Sequence, residues 1–156
     1  MKDENLHGLA NRIRQELTEL EYVLARMGEG WERARRSNDD YYLDGVALNL
    51  HGFYSGLERI FALIAETIDG SLPQGENWHM LVLQQMTKEK PRVRPAVISE
   101  TVGKRLNEYR GFRHVVRNVY TYRFDPAKVE KLVRSAPDVF TQLKAELSAF
   151  ATFLEQ

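Results

Sequence analysis

The side chains best suited to chemistry are concentrated in residues 109–123. This stretch combines arginines, a histidine, an asparagine and tyrosines with a thin apolar stripe, and it contains no acidic residue from Arg110 to Arg123. A surface helix whose polar face contacts only water usually mixes acidic and basic residues on that face. A face of one sign favours a site for an anionic ligand, most simply a phosphodiester. The alternative is that these arginines pair with acids elsewhere in the fold.

The spacing within this stretch would separate its side chains onto different faces of a helix, because each residue turns by about 100°. One face suits a hydrophobic core and carries Phe112, Val115, Val116 and Val119. A second face, at positions i, i+4 and i+7, carries Arg113, Arg117 and Tyr120. An adjoining strip carries Arg110, His114, Arg117 and Asn118. The pattern predicts a cationic surface beside the core.

This set of side chains matches the needs of RNA cleavage without a metal. Such a reaction requires a base for the 2′-hydroxyl, an acid for the leaving 5′-oxygen and a cation for the extra charge on phosphorus. His114 could fill either proton role because histidine titrates near neutral pH. Arg113 could stabilise the charge, with Arg110 and Arg117 binding phosphate through forked hydrogen bonds. Tyr120 could position the phosphate or donate a hydrogen bond.

Other chemistries have weaker support. The histidines are scattered and no two have HxxxH spacing, so we predict no metal site; they are His7, His51, His79 and His114. We interpret His51 and His79 as hydrogen-bonded, partly buried histidines. The chain has no cysteine, no phosphate-binding loop and no GxSxG elbow. We therefore predict no bound cofactor.

The elements that must position the cationic stretch are helices, because no segment alternates with period two. Apolar spacing of three and four predicts long helices over residues 5–36 and 39–69 and a short one over residues 76–88. Ser99 is a good cap for the helix that carries the stretch, and Asp125 with Pro126 should end it and begin the last helix. Pro137 should break or kink that last helix. We predict one all-α domain over residues 1–156, an antiparallel bundle of four to six helices.

Composition and charge narrow the class of protein further. The 22 basic and 22 acidic residues balance, so the cationic face is local and does not reflect an overall affinity for polyanions. The first five residues are polar and lack the apolar region of a signal peptide. No apolar run approaches the roughly 20 residues that a membrane span needs. We expect a cytoplasmic protein that does not enter a membrane.

The segment from Arg113 to Tyr120 resembles the R-x4-H-x-Y signature of the HepT-like proteins of the HEPN superfamily, which are toxins of prokaryotic toxin–antitoxin pairs. The arginine and the tyrosine of the signature match Arg113 and Tyr120. The resemblance continues through residues 121–125, and it also includes residues 48–59 and 78–81. It therefore spans most of the chain and agrees with the all-α prediction.

The resemblance implies a function. Members of this family are expected to be homodimeric, metal-independent ribonucleases that act on RNA, with tRNA as the substrate class, from a cleft shared by the two motif helices. The implied partner is a minimal nucleotidyltransferase antitoxin that transfers AMP onto the toxin, and Tyr120 matches the acceptor. The added group would bring bulk and negative charge to a cationic cleft and block an RNA phosphate.

The sequence departs from the family at the catalytic histidine, which is Asn118 here. An asparagine cannot exchange protons near neutral pH, but it can orient a phosphate or a water. One hypothesis is that His114, one helical turn earlier, takes over the proton transfer. The other is that catalysis is weakened or lost, and the domain binds RNA or the nucleotidyltransferase without cutting. A structural bundle without a ligand would leave the cationic face unexplained.

Overall fold

The computed structural model describes residues 2–120 and 123–156, and within these ranges it contains five α-helices and no strand longer than a single bridge between Lys90 and Arg94. The helices are α1 (Lys2–Ser37), α2 (Tyr41–Ile64), α3 (Trp78–Met86), α4 (Glu100–Asn118) and α5 (Pro126–Leu154). A π-helical turn, Ala65–Asp69, extends α2. The all-α prediction is confirmed. No helix in the described part of the chain is long and apolar enough to cross a membrane.

The core is one cluster to which all five helices contribute: α1 packs mainly against α2 and α5, and α4 packs against α2, α3 and α5. The apolar spacing in α1 buries the side chains of Leu9, Ile13, Leu17, Leu20 and Met27. Gly56 in α2 allows α1 to approach closely, because a Cβ at this position would lie 2.8 Å from Cδ2 of Leu20. The burial of these faces is what holds the long helices together, since propensity alone contributes little.

The predicted caps of α4 and α5 are confirmed. The Ser99 hydroxyl accepts a hydrogen bond from the Val102 N–H at 3.2 Å, and Asp125 Oδ1 accepts one from the Ala127 N–H at 3.0 Å. Glu146 of α5 also accepts hydrogen bonds from the backbone N–H and the hydroxyl of Ser99, at 2.6 and 3.0 Å. The first turn of α4 is therefore fixed to α5, and the helix that carries the cationic stretch has an anchored beginning.

The predicted end of the cationic helix is wrong, and of the break or kink predicted at Pro137 the break does not occur. The cationic helix ends at Asn118, since Val119 has extended dihedral angles (φ −126°, ψ 140°), and Tyr120 follows the helix. β-branched valines lower helix propensity here, and the Asn118 side chain offers the backbone an alternative partner. In α5 the helix continues through Pro137 without a break. Burial of Ala136 and Val139 on either side of the ring outweighs the lost hydrogen bond.

An ion pair that the sequence did not predict fixes the loop between α3 and α4. Arg94 donates to both carboxylate oxygens of Asp69 at 2.6 and 2.7 Å, and each side chain is only 2% exposed. Burial alone would raise the pKa of Asp69, but hydrogen bonds from Arg94 and Gln85 hold that pKa below its usual value. Arg94 also donates to the backbone oxygens of Lys88 and Pro95. The pair connects the end of α2 to the segment that places α3 beside α4.

Candidate functional site

A cleft of about 760 Å³ lies between the beginning of α3 and the last two turns of α4. Its lining combines residues of both helices and of the segment before α3: Glu76, Asn77, His79, Met80, Arg110, Arg113, His114, Arg117 and Asn118. The structure thus brings together five of the six side chains that the sequence singled out. The sixth, Tyr120, does not line the cleft.

The arginines of the cleft differ in their partners from Arg105, which lies on the same helix. Among the residues that the structure describes, no carboxylate forms a salt bridge with Arg110, Arg113 or Arg117, whereas Arg105, two turns earlier than Arg113, binds Asp138 at 2.8 Å. Nε of Arg110 donates to the Asn107 amide oxygen at 2.8 Å, and Nε of Arg113 donates to the Ser55 hydroxyl at 3.3 Å. These partners are neutral, so the two hydrogen bonds orient the side chains without neutralising their charge.

The positive field of these arginines extends into α2, behind the cleft. Burial lowers the pKa of His51, and the nearby charges of Arg113 and Arg117 lower it further. Burial also raises the pKa of Tyr54, whose hydroxyl is fully buried and finds no hydrogen-bond partner among the described residues. A positive charge on His51 is therefore disfavoured first by burial and then by the two neighbouring arginines.

His114 and Asn118 are in contact, as their i, i+4 spacing predicts. The Asn118 amide nitrogen donates to the His114 backbone oxygen at 2.8 Å and lies 3.3 Å from Nδ1 of the His114 ring. Both side chains are exposed. When Nδ1 accepts from the amide, the hydrogen of the neutral ring lies on Nε2, so the contact with Asn118 favours that tautomer of His114.

The second histidine of the cleft is His79, which is partly buried and hydrogen-bonded as the sequence predicts. Its Nδ1 lies 2.7 Å from Oε2 of Glu58, and the two side chains are 24% and 6% exposed. The Trp78 ring lies against the imidazole, with the ring centres 4.0 Å apart. The position of His79 in the cleft was not predicted. The available signal was Glu58, an acid within the apolar face of α2.

Tyr120 occupies a different environment from the one the sequence predicts. It lies two residues beyond the end of α4, with 72% of its surface exposed. It therefore does not share a helix face with Arg113 and Arg117, because the helix has already ended. The resemblance at Thr121 and Tyr122 falls outside the described residues. What the structure assigns to Tyr120 is an accessible phenol near the end of the cationic helix.

No group of three or more potential ligands among the described histidines and carboxylates is arranged to hold a metal ion. In a comparison with known families, the family model described as "HepT-like protein" matches residues 45–154. The match covers more than half of the chain and includes every residue of the cleft. No curated protein and no solved structure shows significant similarity to the chain.

Proposed function

The chain belongs to the HepT-like family, which indicates a HEPN-type toxin module, and on this basis we propose that it is a metal-independent ribonuclease of a toxin–antitoxin pair. The proposed substrate is RNA, and tRNA is the favoured class. The protein would meet this substrate in the cytoplasm. The observation that carries the proposal is the cleft in which Arg110, Arg113 and Arg117 lie beside His114, with no salt bridge to a carboxylate among the described residues.

The proposed reaction is transfer of the phosphoryl group to the neighbouring 2′-oxygen. The 2′-oxygen attacks phosphorus as a base removes its proton, and the bond to the 5′-oxygen breaks as an acid protonates that oxygen. The products are a 2′,3′-cyclic phosphate and a 5′-hydroxyl. Arg113 stabilises the extra negative charge in the transition state. His114 exchanges a proton, Asn118 orients its ring, and Arg110 and Arg117 bind phosphate.

A homodimer and an antitoxin complete this proposal. In a homodimer the motif helices of two chains would face one another, so that one RNA strand meets arginines of both. The partner would be a minimal nucleotidyltransferase that transfers AMP to Tyr120. In that step the phenol oxygen attacks the α-phosphorus of ATP, pyrophosphate leaves, and the phenol proton passes to a base. The exposure of Tyr120 supports the assignment, since an acceptor must reach another protein's active site.

A second candidate function is an interaction module that binds RNA or the nucleotidyltransferase without cleaving. The observation in its favour is Asn118, whose amide transfers no proton and contacts the one histidine on the motif helix. This candidate and the ribonuclease share the fold, the cleft and the partner. They differ only in whether the cleft performs a proton transfer.

The discriminating experiment is incubation of the purified chain with total tRNA in EDTA, beside Asn118→His and the control Arg134→Gln. Arg134 is exposed and paired with Glu130 on α5, so its loss removes a cation outside the cleft. Cleavage by the natural chain and the control supports the ribonuclease. Cleavage by Asn118→His alone supports the interaction module. If none of the three proteins cleaves tRNA, the ribonuclease proposal is refuted.

The modification is tested separately by incubating the chain with the nucleotidyltransferase and ATP and measuring intact mass. We expect one added AMP on the natural chain and none on Tyr120→Phe. Tyr22→Phe is the matched control, since Tyr22 is 69% exposed on α1, and it should be modified normally. Addition to the Tyr120→Phe variant would refute the assignment.

A further inference from the structure

His79 is the second histidine of the cleft, and neither the motif nor the family match gives it a role. The proposed cleavage needs a proton acceptor and a proton donor in the same turnover, and one histidine cannot be both at once. We propose that His79 is the general base that removes the 2′-hydroxyl proton, held in position by Glu58. This inference rests on the proposed ribonuclease function and adds a catalytic residue to it.

The Glu58 contact determines which ring nitrogen of His79 is available. A carboxylate oxygen can only accept, so the hydrogen of the 2.7 Å contact is on Nδ1 of His79. The neutral ring then carries a free lone pair on Nε2. Glu58 is buried, with 6% of its side chain exposed, and a buried carboxylate without a partner is costly. The pair therefore holds the imidazole in one tautomer and stabilises the positive charge that it gains as a base.

The position of His79 suits substrate contact. The ring is 24% exposed, lines the cleft and is restrained on one side by Trp78. The arginines that would hold the phosphate lie across the same cleft, on α4. The charged or titratable groups that share this space with His79 are Glu58, Glu76, Arg110, Arg113, His114 and Arg117.

The two histidines of the cleft have opposite hydrogen-bond environments. Nδ1 of His79 donates to Glu58, whereas Nδ1 of His114 lies next to the Asn118 amide nitrogen, which can only donate. His79 therefore presents a lone pair on Nε2, which suits the 2′-hydroxyl. His114 presents Nε2–H, and it protonates the leaving 5′-oxygen from the imidazolium form, in which both ring nitrogens carry a hydrogen and the Asn118 amide turns its oxygen toward Nδ1. After each turnover His79 releases its extra proton to solvent, and His114 takes up a proton from solvent.

The test compares cleavage of a short RNA by the natural chain, His79→Asn, Glu58→Gln and the control His7→Asn. Asparagine places its amide nitrogen near the position of Nδ1, so His79→Asn retains a donor for Glu58 and removes Nε2. Glu58→Gln keeps an acceptor and removes the charge, which makes it the test of a positioning residue. His7 lies near the beginning of α1, outside the cleft. Circular dichroism and binding of a 2′-deoxy oligonucleotide report folding and cleft integrity.

We expect His79→Asn to lower kcat by about 100-fold or more, the usual contribution of a general base. KM and oligonucleotide binding should change by no more than about threefold, as for an interaction made only in the transition state. The acid-side limb of the pH–rate profile should disappear in His79→Asn, and Glu58→Gln should lower kcat without raising KM. His7→Asn should match the natural chain.

The outcomes separate this inference from the proposed function. If the natural chain cleaves and folded His79→Asn cleaves within about threefold of it, or keeps the same acid-side limb, the base assignment is overturned and the ribonuclease stands. A loss of kcat with an equal loss of oligonucleotide binding also overturns it, because His79 would then only shape the cleft. If the natural chain does not cleave the RNA, both the proposed ribonuclease function and the assignment of His79 as its base are refuted.

Discussion

The substitution Arg94→Met should destabilise the protein more than any exposed ion-pair variant. Methionine fills part of the space of the arginine side chain but supplies no charge or donor. The Asp69 side chain, 2% exposed in the natural chain, keeps the hydrogen bond from the Gln85 amide. Backbone oxygens of Lys88 and Pro95 lose their hydrogen bonds as well. Removing one partner of a buried pair costs about 3–5 kcal/mol. At about 2–4 °C per kcal/mol for a chain of this size, Tm should fall by roughly 6–20 °C.

The assay is thermal and urea unfolding followed by circular dichroism, with Arg33→Met as the matched control. Arg33 pairs with Glu29, and both side chains are 59% exposed, so this variant should lose less than about 1 kcal/mol. Equal Tm values for the two variants would refute the reasoning, since they would show that the buried pair contributes no more than a surface pair.

The same pair predicts a dependence on pH. The pKa of Asp69 is lower in the folded chain than in the unfolded chain, so its contribution to stability is present above about pH 4 and is lost as the pH falls through the folded value. The difference in unfolding free energy between the natural chain and Arg94→Met should therefore be largest near neutral pH and shrink in acid. A difference that stays constant from pH 7 to pH 3 would contradict this assignment.

Three further predictions follow from single contacts. Gly103→Ala should lower the free energy of unfolding in urea by about 1–3 kcal/mol, because its Cβ would lie 2.6 Å from Cγ2 of Thr87. The control Gly8→Ala has open space around it and should not destabilise α1. Tyr109→Phe should cost about 1–2 kcal/mol by the same measurement, because its buried hydroxyl donates to the Leu132 backbone oxygen at 2.7 Å; an unchanged midpoint would exclude this. Arg117→Gln should reduce the slope of log K for single-stranded RNA against log salt by about 0.7, the value for one phosphate contact; an unchanged slope would remove Arg117 from the interface.

The sequence predicts the helices well because their determinants are local. The periodic leucines of α1, the Ser99 cap and the Asp125–Pro126 start each depend on a few neighbouring residues, and each is present in the structure. The cationic side of the cleft was predictable for the same reason, since its arginines lie on one helix. The end of α4 was not predictable from the sequence. There the Asn118 side chain donates to the His114 backbone oxygen in competition with the helix, and small energy differences decide the outcome.

Two pairs that the sequence did not reveal join distant parts of the chain. Glu58 and His79 are 21 residues apart, and Asp69 and Arg94 are 25 apart. No periodicity in a helix relates such positions, and the partner of each buried acid depends on how α2, α3 and the following loop pack. The sequence shows that an acid on the apolar face of α2 needs a partner, but only the packed structure identifies the partner as a histidine of the cleft.

The uneven anchoring of α4 has an evolutionary consequence. Up to Phe112 it is anchored by the buried side chains of Val102, Leu106, Tyr109 and Phe112, whereas Asn118 in the last turn is exposed and its side chain bonds to His114 of the same helix. A change at residue 118 therefore costs little folding free energy. Asparagine and histidine codons differ by one base, so a lineage could exchange the motif histidine and the asparagine in a single mutational step. Reactivity at this position can vary under selection while the bundle that supports it stays the same.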